Sequence, residues 1–523
     1  RESVWISFVI TKTYMQILKK YWNEKPLTVI LLAAIFFRLI AVIFSKGFGM
    51  HDDHFLVIEA AQSWVDGMDY NNWLPGSKGN TGPTGHSFFY VGLHYLLLSF
   101  IDFIGINDPQ FKMFIVRFLH AVFSLLTVIL GYKITAKLYD KNSAKTVGLL
   151  LAILWFMPFL SVRNLVEVTC IPFVLYGIWI LISYKTNKII FFSLFAGFVL
   201  GLAFSIRYQT IIFTGGVGLA LLIQKKWKEA IGLGVGFAIS VFLIQGIIDI
   251  FIWGYPFAEL NEYIRYNVEN AYNYNIIAWY SYLLLILGIL IPPVSFFLFY
   301  GFLRTWKKHF LIFLPTILFL VFHSYFPNKQ ERFILPIIPF IIILGIIGWN
   351  KFVEKSKFWN RNKKLLKACW IFFWTINLIL LPVISTMYSK KARVESMVYL
   401  SKYENIKYLL LEDTNNDNAK ICPRFYLNQW SGEYRVTQQI SLKVYPEKIW
   451  TEKNSAPGFV LFFEEKNINN RVNSIKTVLP NIEYEATIEP GFVDNIMHWL
   501  NPINANQIIY IYRNTDIYPN KLP

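Results

Sequence analysis

The sequence predicts a polytopic α-helical membrane protein that carries a soluble α/β domain at its C-terminal end. Of its 523 residues, 55% are hydrophobic and only 16% are charged, whereas soluble globular proteins contain about 25% charged residues. Long apolar segments recur as far as residue 386, and a polar region with short apolar runs follows them. This composition excludes a large soluble protein and favours an integral membrane protein.

The apolar segments predict about 11–13 transmembrane helices, because a helix needs roughly 17 to 25 apolar residues to cross the bilayer. A further segment, 87–104, is predicted to be a re-entrant or in-plane helix on the outer face. If it crossed the membrane, the lysines of loop 132–145 would lie outside. The eleven spanning candidates are 26–44, 111–131, 146–161, 167–184, 189–206, 210–223, 229–252, 279–302, 309–326, 333–350 and 366–386.

Most of the net charge of +17 comes from lysines and arginines in alternate loops. The positive-inside rule therefore assigns loops 1–25, 132–145, 185–188, 224–228, 303–308 and 351–367 to the cytoplasm. Their charge is expected to face anionic lipid, so the protein has membrane lipid and no nucleic acid as a partner. Three cysteines are too few for a disulfide framework.

The polar region predicts a second domain, so the chain divides into a membrane domain at 1–387 and a soluble domain at 388–523. The segments predicted to form strands are 405–413, 458–465 and 507–514, with one or two helices between them. An odd number of crossings places this domain on the outer face.

An acidic segment follows the first span, where His51, Asp52, Asp53 and His54 place four titratable groups in succession. One aspartate could simply cap the helix predicted after it. However, capping needs one carboxylate, whereas paired carboxylates have divergent pKa values that suit acid–base catalysis. The sequence therefore favours a catalytic role for this segment, with capping as the alternative.

A cationic loop near residue 330 contains Lys329, Glu331 and Arg332 and precedes a proline-bent helix. Lysine and arginine at the mouth of a helix bundle suit a phosphate or pyrophosphate. The alternative is that both cations reach lipid headgroups. Arg207, at another outer turn, either holds a lipid phosphate or pairs with an acidic residue.

The loop 253–278 is rich in tyrosine and asparagine and is followed by Trp279 and Tyr280. Such a surface suits a carbohydrate, although an aromatic belt at the membrane interface explains the same composition. The sequence contains no Walker loop and no zinc-type Cys/His spacing, so neither metal nor cofactor is expected. Because the acidic pair is expected on the outer face, where nucleotide sugars and ATP are not supplied, the expected donor is membrane-borne and already activated.

These motifs resemble those of the GT-C superfamily of polytopic glycosyltransferases, and most of all glycosyltransferase family 22. This family contains mannosyltransferases that build GPI anchors and lipid-linked oligosaccharides. Its H-P-D-E motif corresponds to residues 51–54, and its W-Y pair corresponds to Trp279 and Tyr280. Its H-K-E-x-R-F-x-x-P-x-x-P signature corresponds to NKQERFILPIIP at 328–339. The resemblance covers about residues 26–390 and does not include the tail.

The resemblance implies inverting transfer of a mannose-like hexose from a polyprenyl-phosphate sugar to a glycan, lipid or protein acceptor on the outer face. Asp53 takes the place of the proposed general base, with Asp52 in reserve. Lys329 and Arg332 take the places expected to meet the donor phosphate. The remaining predicted substrate-binding residues are His51, His54, Glu331, Trp279, Tyr280 and Arg207.

Three departures from the family motifs keep other functions open, because Asp52 replaces proline, His54 replaces glutamate and Asn328 replaces histidine. The alternatives are a catalytically silent relative that serves as a subunit of a membrane complex, and a transporter of lipid-linked sugars. The Asn/Lys/Ile-rich composition favours a bacterial inner membrane with a periplasmic site. A eukaryotic origin would place the site in the ER lumen.

Overall fold

The computed structural model is mostly helical and describes residue 16 and residues 19–521, except for 78, 81, 185–187, 274–275, 419 and 502–507. The predicted cytoplasmic loops 1–25 and 185–188 therefore fall mostly outside the described residues. Seven helical segments in the described part are long and apolar enough to cross a membrane. They are Pro26–Phe44, Pro109–Leu138, Val166–Ser183, Ile189–Ile206, Trp227–Trp253, Glu331–Lys355 and Lys363–Ser385.

Other apolar helices are shorter or broken. Phe88–Phe103, Thr210–Ile223 and Phe310–Tyr325 have 10–17 residues each. The predicted span at 279–302 is divided into Ser281–Ile289 and Val294–Arg304, which are bent by 120°. The predicted span at 146–161 is likewise divided, into Lys141–Ile153 and Met157–Ser161. The multi-span helical fold is therefore confirmed, and the in-plane placement of 87–104 stays a prediction.

The soluble region forms one five-stranded sheet, with strands β1 (Tyr408–Asp413), β2 (Gly432–Thr437), β3 (Phe459–Phe463), β4 (Ile482–Ile488) and β5 (Ile509–Asn514). Their order is β2-β1-β3-β5-β4, in which β1 runs parallel to β2 and β3, and β5 runs antiparallel to β3 and β4. The three predicted strands are β1, β3 and β5, although residue 507 lies outside the described residues. The remaining helices here are Lys391–Leu400, Arg424–Leu427, Leu442–Val444, Glu447–Thr451, Ile468–Lys476 and Phe492–Leu500.

The sheet packs against the segment that follows the first span. Alternate residues of β1 and β3, among them Leu409 and Leu461, share a buried apolar cluster with Phe48, Phe55 and Ile58. The other face of the sheet, which includes Leu410 and Val460, forms a separate cluster with Trp450 and the flanking helices. The acidic segment therefore lies between the membrane helices and the soluble region.

Candidate active site

Asp53 lies in a short helix, His51–Asp53, that continues as a π-helical turn, His54–Glu59. Its carboxylate accepts hydrogen bonds from the backbone N–H groups of Met50 (2.8 Å) and Gly49 (3.2 Å). These bonds satisfy donors that precede the helix, whereas the alternative interpretation expects an aspartate at the N-cap, a position that Met50 occupies. The same side chain lines the cavity described below. Asp53 therefore bonds to the start of the helix from the third helical position while its side chain lines the cavity.

The two neighbouring carboxylates have different environments. Asp53 is buried, and burial raises its pKa above the usual value in spite of the nearby charges of Lys390 and His54. Asp52 is 48% exposed and forms an ion pair with Arg332. Although burial acts to raise the pKa of Asp52, the Arg332 charge and hydrogen bond hold it below its usual range. The environment thus makes Asp53 the stronger base of the two.

Two guanidinium groups meet beside this pair. Arg332 donates through Nε to Gln330 Oε1 at 2.8 Å, and Arg207 donates to Glu167 Oε1 at 2.5 Å. The same Glu167 oxygen lies 3.6 Å from Arg332 Nε. Both guanidinium groups also lie over the ring of Phe333, Arg207 at 5.1 Å and Arg332 at 5.5 Å from its centroid. The buried Glu167 therefore holds two cations close together beside the two aspartates.

These groups surround one cavity of about 530 Å³. Its wall is partly polar and partly apolar, a mixture that suits a sugar joined to an apolar chain. It is lined by His51, Asp52, Asp53, Leu56, Val57, His86, Tyr90, Val91, Leu165, Val166, Glu167, Ile206, Arg207, Tyr208, Gln209, Tyr263, Tyr266, Asn267, Asn328, Gln330, Arg332 and Phe333, and by residues 84, 85 and 87.

His86 enters the cavity from a loop that a buried carboxylate organises. Glu259 Oε2 accepts from the backbone N–H groups of Thr84 (2.9 Å), Gly85 (2.6 Å) and His86 (3.2 Å). Burial raises the pKa of Glu259 to about 7. The His86 ring stacks on Trp73 with centroids 4.8 Å apart, and burial lowers its pKa. Burial therefore favours the neutral form of the His86 imidazole.

The structure brings together His51, Asp52, Asp53, Arg332 and Arg207, all of which line the cavity. Five other predicted substrate-binding residues lie outside it: His54, Lys329, Glu331, Trp279 and Tyr280. Their predicted contacts with substrate stay predictions that the geometry of this cavity does not support.

Each of these five residues has a specific environment. His54 is buried between the rings of Phe48 and Tyr426, at centroid distances of 4.9 and 5.4 Å. Lys329 is buried as well, and its Nζ donates to the backbone oxygen of Phe326 at 2.7 Å. Trp279 and Tyr280 are exposed, as is Glu331.

Sequence reasoning did not assign Glu167 or His86 to the site. Pairing with an acidic residue was one of the two alternatives for Arg207, and the structure identifies that residue as Glu167. His86 carries no local signal, because a contact with Glu259, more than 170 positions later, positions its loop. Among the described residues, no three His, Cys, Asp or Glu side chains converge on a possible metal position.

The fold is that of a multi-span membrane protein of the GT-C type. The structure is similar to ArnT from Cupriavidus metallidurans in the apo state, with a TM-score of 0.60, 11% sequence identity and coverage of 95% of this chain and 98% of ArnT. The corresponding values for the same protein bound to undecaprenyl phosphate are 0.61, 11%, 95% and 99%. The likeness confirms the fold class predicted from the sequence.

The sequence matches the model of the Alg9-like mannosyltransferase family over residues 28–432. The chain therefore belongs to this family, which confirms the resemblance to family 22. It is also 23% identical over 218 residues to GPI mannosyltransferase 3 of Kluyveromyces lactis. That match covers 38% of this chain and 35% of the relative, so it spans about a third of the yeast protein.

Proposed function

We propose that this protein is an inverting membrane glycosyltransferase that transfers a mannose-like hexose from a polyprenyl-phosphate sugar to an acceptor on the outer face. One observation carries the proposal: two carboxylates of unequal basicity, Asp52 and Asp53, and two guanidinium groups, Arg207 and Arg332, line a single cavity. This is the set of charges that displacement of a phosphate from an anomeric carbon requires.

Asp53 acts as the general base in this proposal. The acceptor hydroxyl loses its proton to Asp53 while its oxygen forms a bond to the anomeric carbon. The bond from that carbon to the phosphate oxygen breaks on the opposite face of the sugar, and the phosphate leaves with the electron pair. Asp53 suits the role because burial raises its pKa, whereas the Arg332 charge makes Asp52 a weaker base.

Arg332 and Arg207 stabilise the leaving phosphate. A guanidinium group binds phosphate through two parallel hydrogen bonds, and two such groups offset the charge that develops on the leaving oxygen. Asp52 and Glu167 hold these cations in place before the donor arrives. With two cations present, the reaction needs no metal ion or cofactor, and we propose that it proceeds in the presence of a chelator.

The family and the fold support the choice of donor. The family match favours mannose as the sugar. Undecaprenyl phosphate bound to the similarly folded ArnT favours a polyprenyl-phosphate carrier. His54 is one of the departures from the family motif that leave open a catalytically silent relative. It lies outside the cavity. Its presence therefore removes no group from the reacting centre.

We propose a periplasmic location for the cavity and the sheet domain in a bacterial inner membrane, with a glycan, lipid or protein as acceptor. The test is transfer from radiolabelled polyprenyl-phosphate sugars into membrane extracts, with and without a chelator. Label transferred by the native protein and not by the Asp53→Asn variant supports the proposal and identifies the donor. A folded native protein that transfers label from no donor contradicts it.

A further inference from the structure

The helix Phe492–Leu500 of the soluble region has an unusual distribution of polarity. A surface helix normally turns its apolar side chains inward. Here Phe492 and Trp499 are 74% and 80% exposed, and Ile496 and Leu500 on the same side are exposed too. The buried residue of the helix is Asp494. Its charged side thus faces the protein and its apolar side faces outward.

The position of this helix relative to the membrane spans follows from its first turn. Asp494 Oδ2 accepts from the backbone N–H of Lys391 at 3.4 Å, and Lys391 comes six residues after the span Lys363–Ser385 ends. The neighbouring Ser389 N–H donates to the backbone oxygen of Lys46 at 3.1 Å, two residues beyond the first span. The helix therefore starts at the level where two spans end on the same side.

We propose that Phe492–Leu500 is an interfacial helix whose apolar side inserts into the adjacent lipid leaflet. The polar headgroup region begins where spans end and is about 5–7 Å deep on each side. Aromatic residues are enriched at this depth, because their rings contact acyl chains while the nearby backbone stays hydrated. Phe492 and Trp499 are seven residues apart, about two turns, so they lie on one side of the helix and both can enter the same leaflet.

The apolar side of the helix Phe492–Leu500 anchors the sheet domain against the membrane independently of catalysis. The contact between Asp494 and Lys391 fixes the helix to the end of the last span, and the inserted side chains prevent the sheet from tilting away. The occupant is lipid rather than a second copy of the chain, because these backbone contacts place the start of the helix beside the ends of two spans that must themselves contact lipid.

The test uses the full-length protein in lipid nanodiscs, with an environment-sensitive nitrobenzoxadiazole label on one introduced cysteine. Cys369, the native cysteine that is not buried, is first replaced by alanine. The labelled variants are Phe492→Cys and Trp499→Cys, two separate positions on the proposed lipid side. Val444→Cys is the matched control, because Val444 is 65% exposed and belongs to a turn on the sheet face away from the membrane helices.

Lipids carrying a doxyl quencher near the headgroup should remove most of the emission from both helix positions, which should also shift to the blue. The control label should keep its intensity and its water-like spectrum. Water-like, unquenched emission at 492 and 499 would overturn the proposal. Blue-shifted emission without quenching would also overturn it, because a protein surface would then cover the helix.

Discussion

Replacing Asp53 by asparagine is the most direct test of the catalytic geometry. The asparagine Oδ1 can still accept from Met50 N–H, which lies 2.8 Å from the native carboxylate. The new amide NH₂ then faces the Gly49 N–H, whose native distance to the carboxylate is 3.2 Å. Two donors that face each other in a buried position cost about 1–3 kcal/mol of stability.

The expected effect on catalysis is much larger than this structural cost. Loss of a general base lowers the rate about 100- to 10,000-fold. We expect kcat/KM of the Asp53→Asn variant to fall by that factor, while the protein remains folded with a modestly lower Tm. The assay is transfer of radiolabelled hexose from a polyprenyl-phosphate donor, with Tm measured on the same purified samples.

The Asp69→Asn variant is the matched control. Asp69 lies in the same segment between the first span and the helix Phe88–Phe103 and accepts from Leu74 N–H at 2.7 Å and from Trp64 Nε1 at 3.2 Å, but it does not line the cavity. Its replacement should lower Tm by a similar amount and leave turnover unchanged. If the Asp53→Asn variant loses no more activity than this control, Asp53 is not the base.

Four further predictions follow from the same geometry. The Arg332→Lys variant keeps the charge and loses the two-pronged hydrogen bonds. Its kcat/KM should be about 10- to 100-fold lower, because hydrogen bonds to charged groups contribute about 1.5–3 kcal/mol. An unchanged kcat/KM would exclude contact between Arg332 and the phosphate. Since burial raises the pKa of Asp53 and only the ionised base is active, a pH–rate profile should lose activity with falling pH at a midpoint above the ordinary aspartate pKa of about 3.9. Glu259→Gln should lower stability by about 1–3 kcal/mol in a thermal melt, since a carboxylate oxygen that several donors share is replaced. His54→Ala should lower stability by about 2–4 kcal/mol by leaving a cavity between two rings, while the rate per folded molecule, from the transfer assay, stays close to native; a loss of turnover without a loss of Tm would return His54 to the site.

The parts of the fold that the sequence predicts are those with a strong local signal. The predicted strands β1, β3 and β5 are the three inner strands of the sheet, whose β1 and β3 residues are buried almost without interruption. The two strands that the sequence missed, β2 and β4, are the edge strands. Their side chains are mixed in burial, so they lack a continuous apolar run.

The candidate site divides in the same way. Asp52, Asp53 and Arg332 belong to short motifs, so their types and spacing could be recognised without a structure. Which aspartate is buried and which one meets Arg332 could not, because the two positions are adjacent and the arginine is 280 residues away. His86 shows the limit more strongly, since its backbone N–H donates to Glu259, which is 173 positions further along the chain.

The segment that carries Asp53 is bonded near both of its ends to residues that lie beyond the last span. The Gly49 N–H donates to Asp53, while the Gly49 backbone oxygen accepts from Lys390 Nζ at the start of the soluble region. On the other side of the π-helical turn, the Phe425 N–H donates to Glu59 at 3.0 Å. One residue, Gly49, thus connects the carboxylate in the cavity to a residue beyond the last span. Because interiors are close-packed and do not deform gradually, the sheet domain supports the position of the Asp53 carboxylate, although none of its described residues lines the cavity.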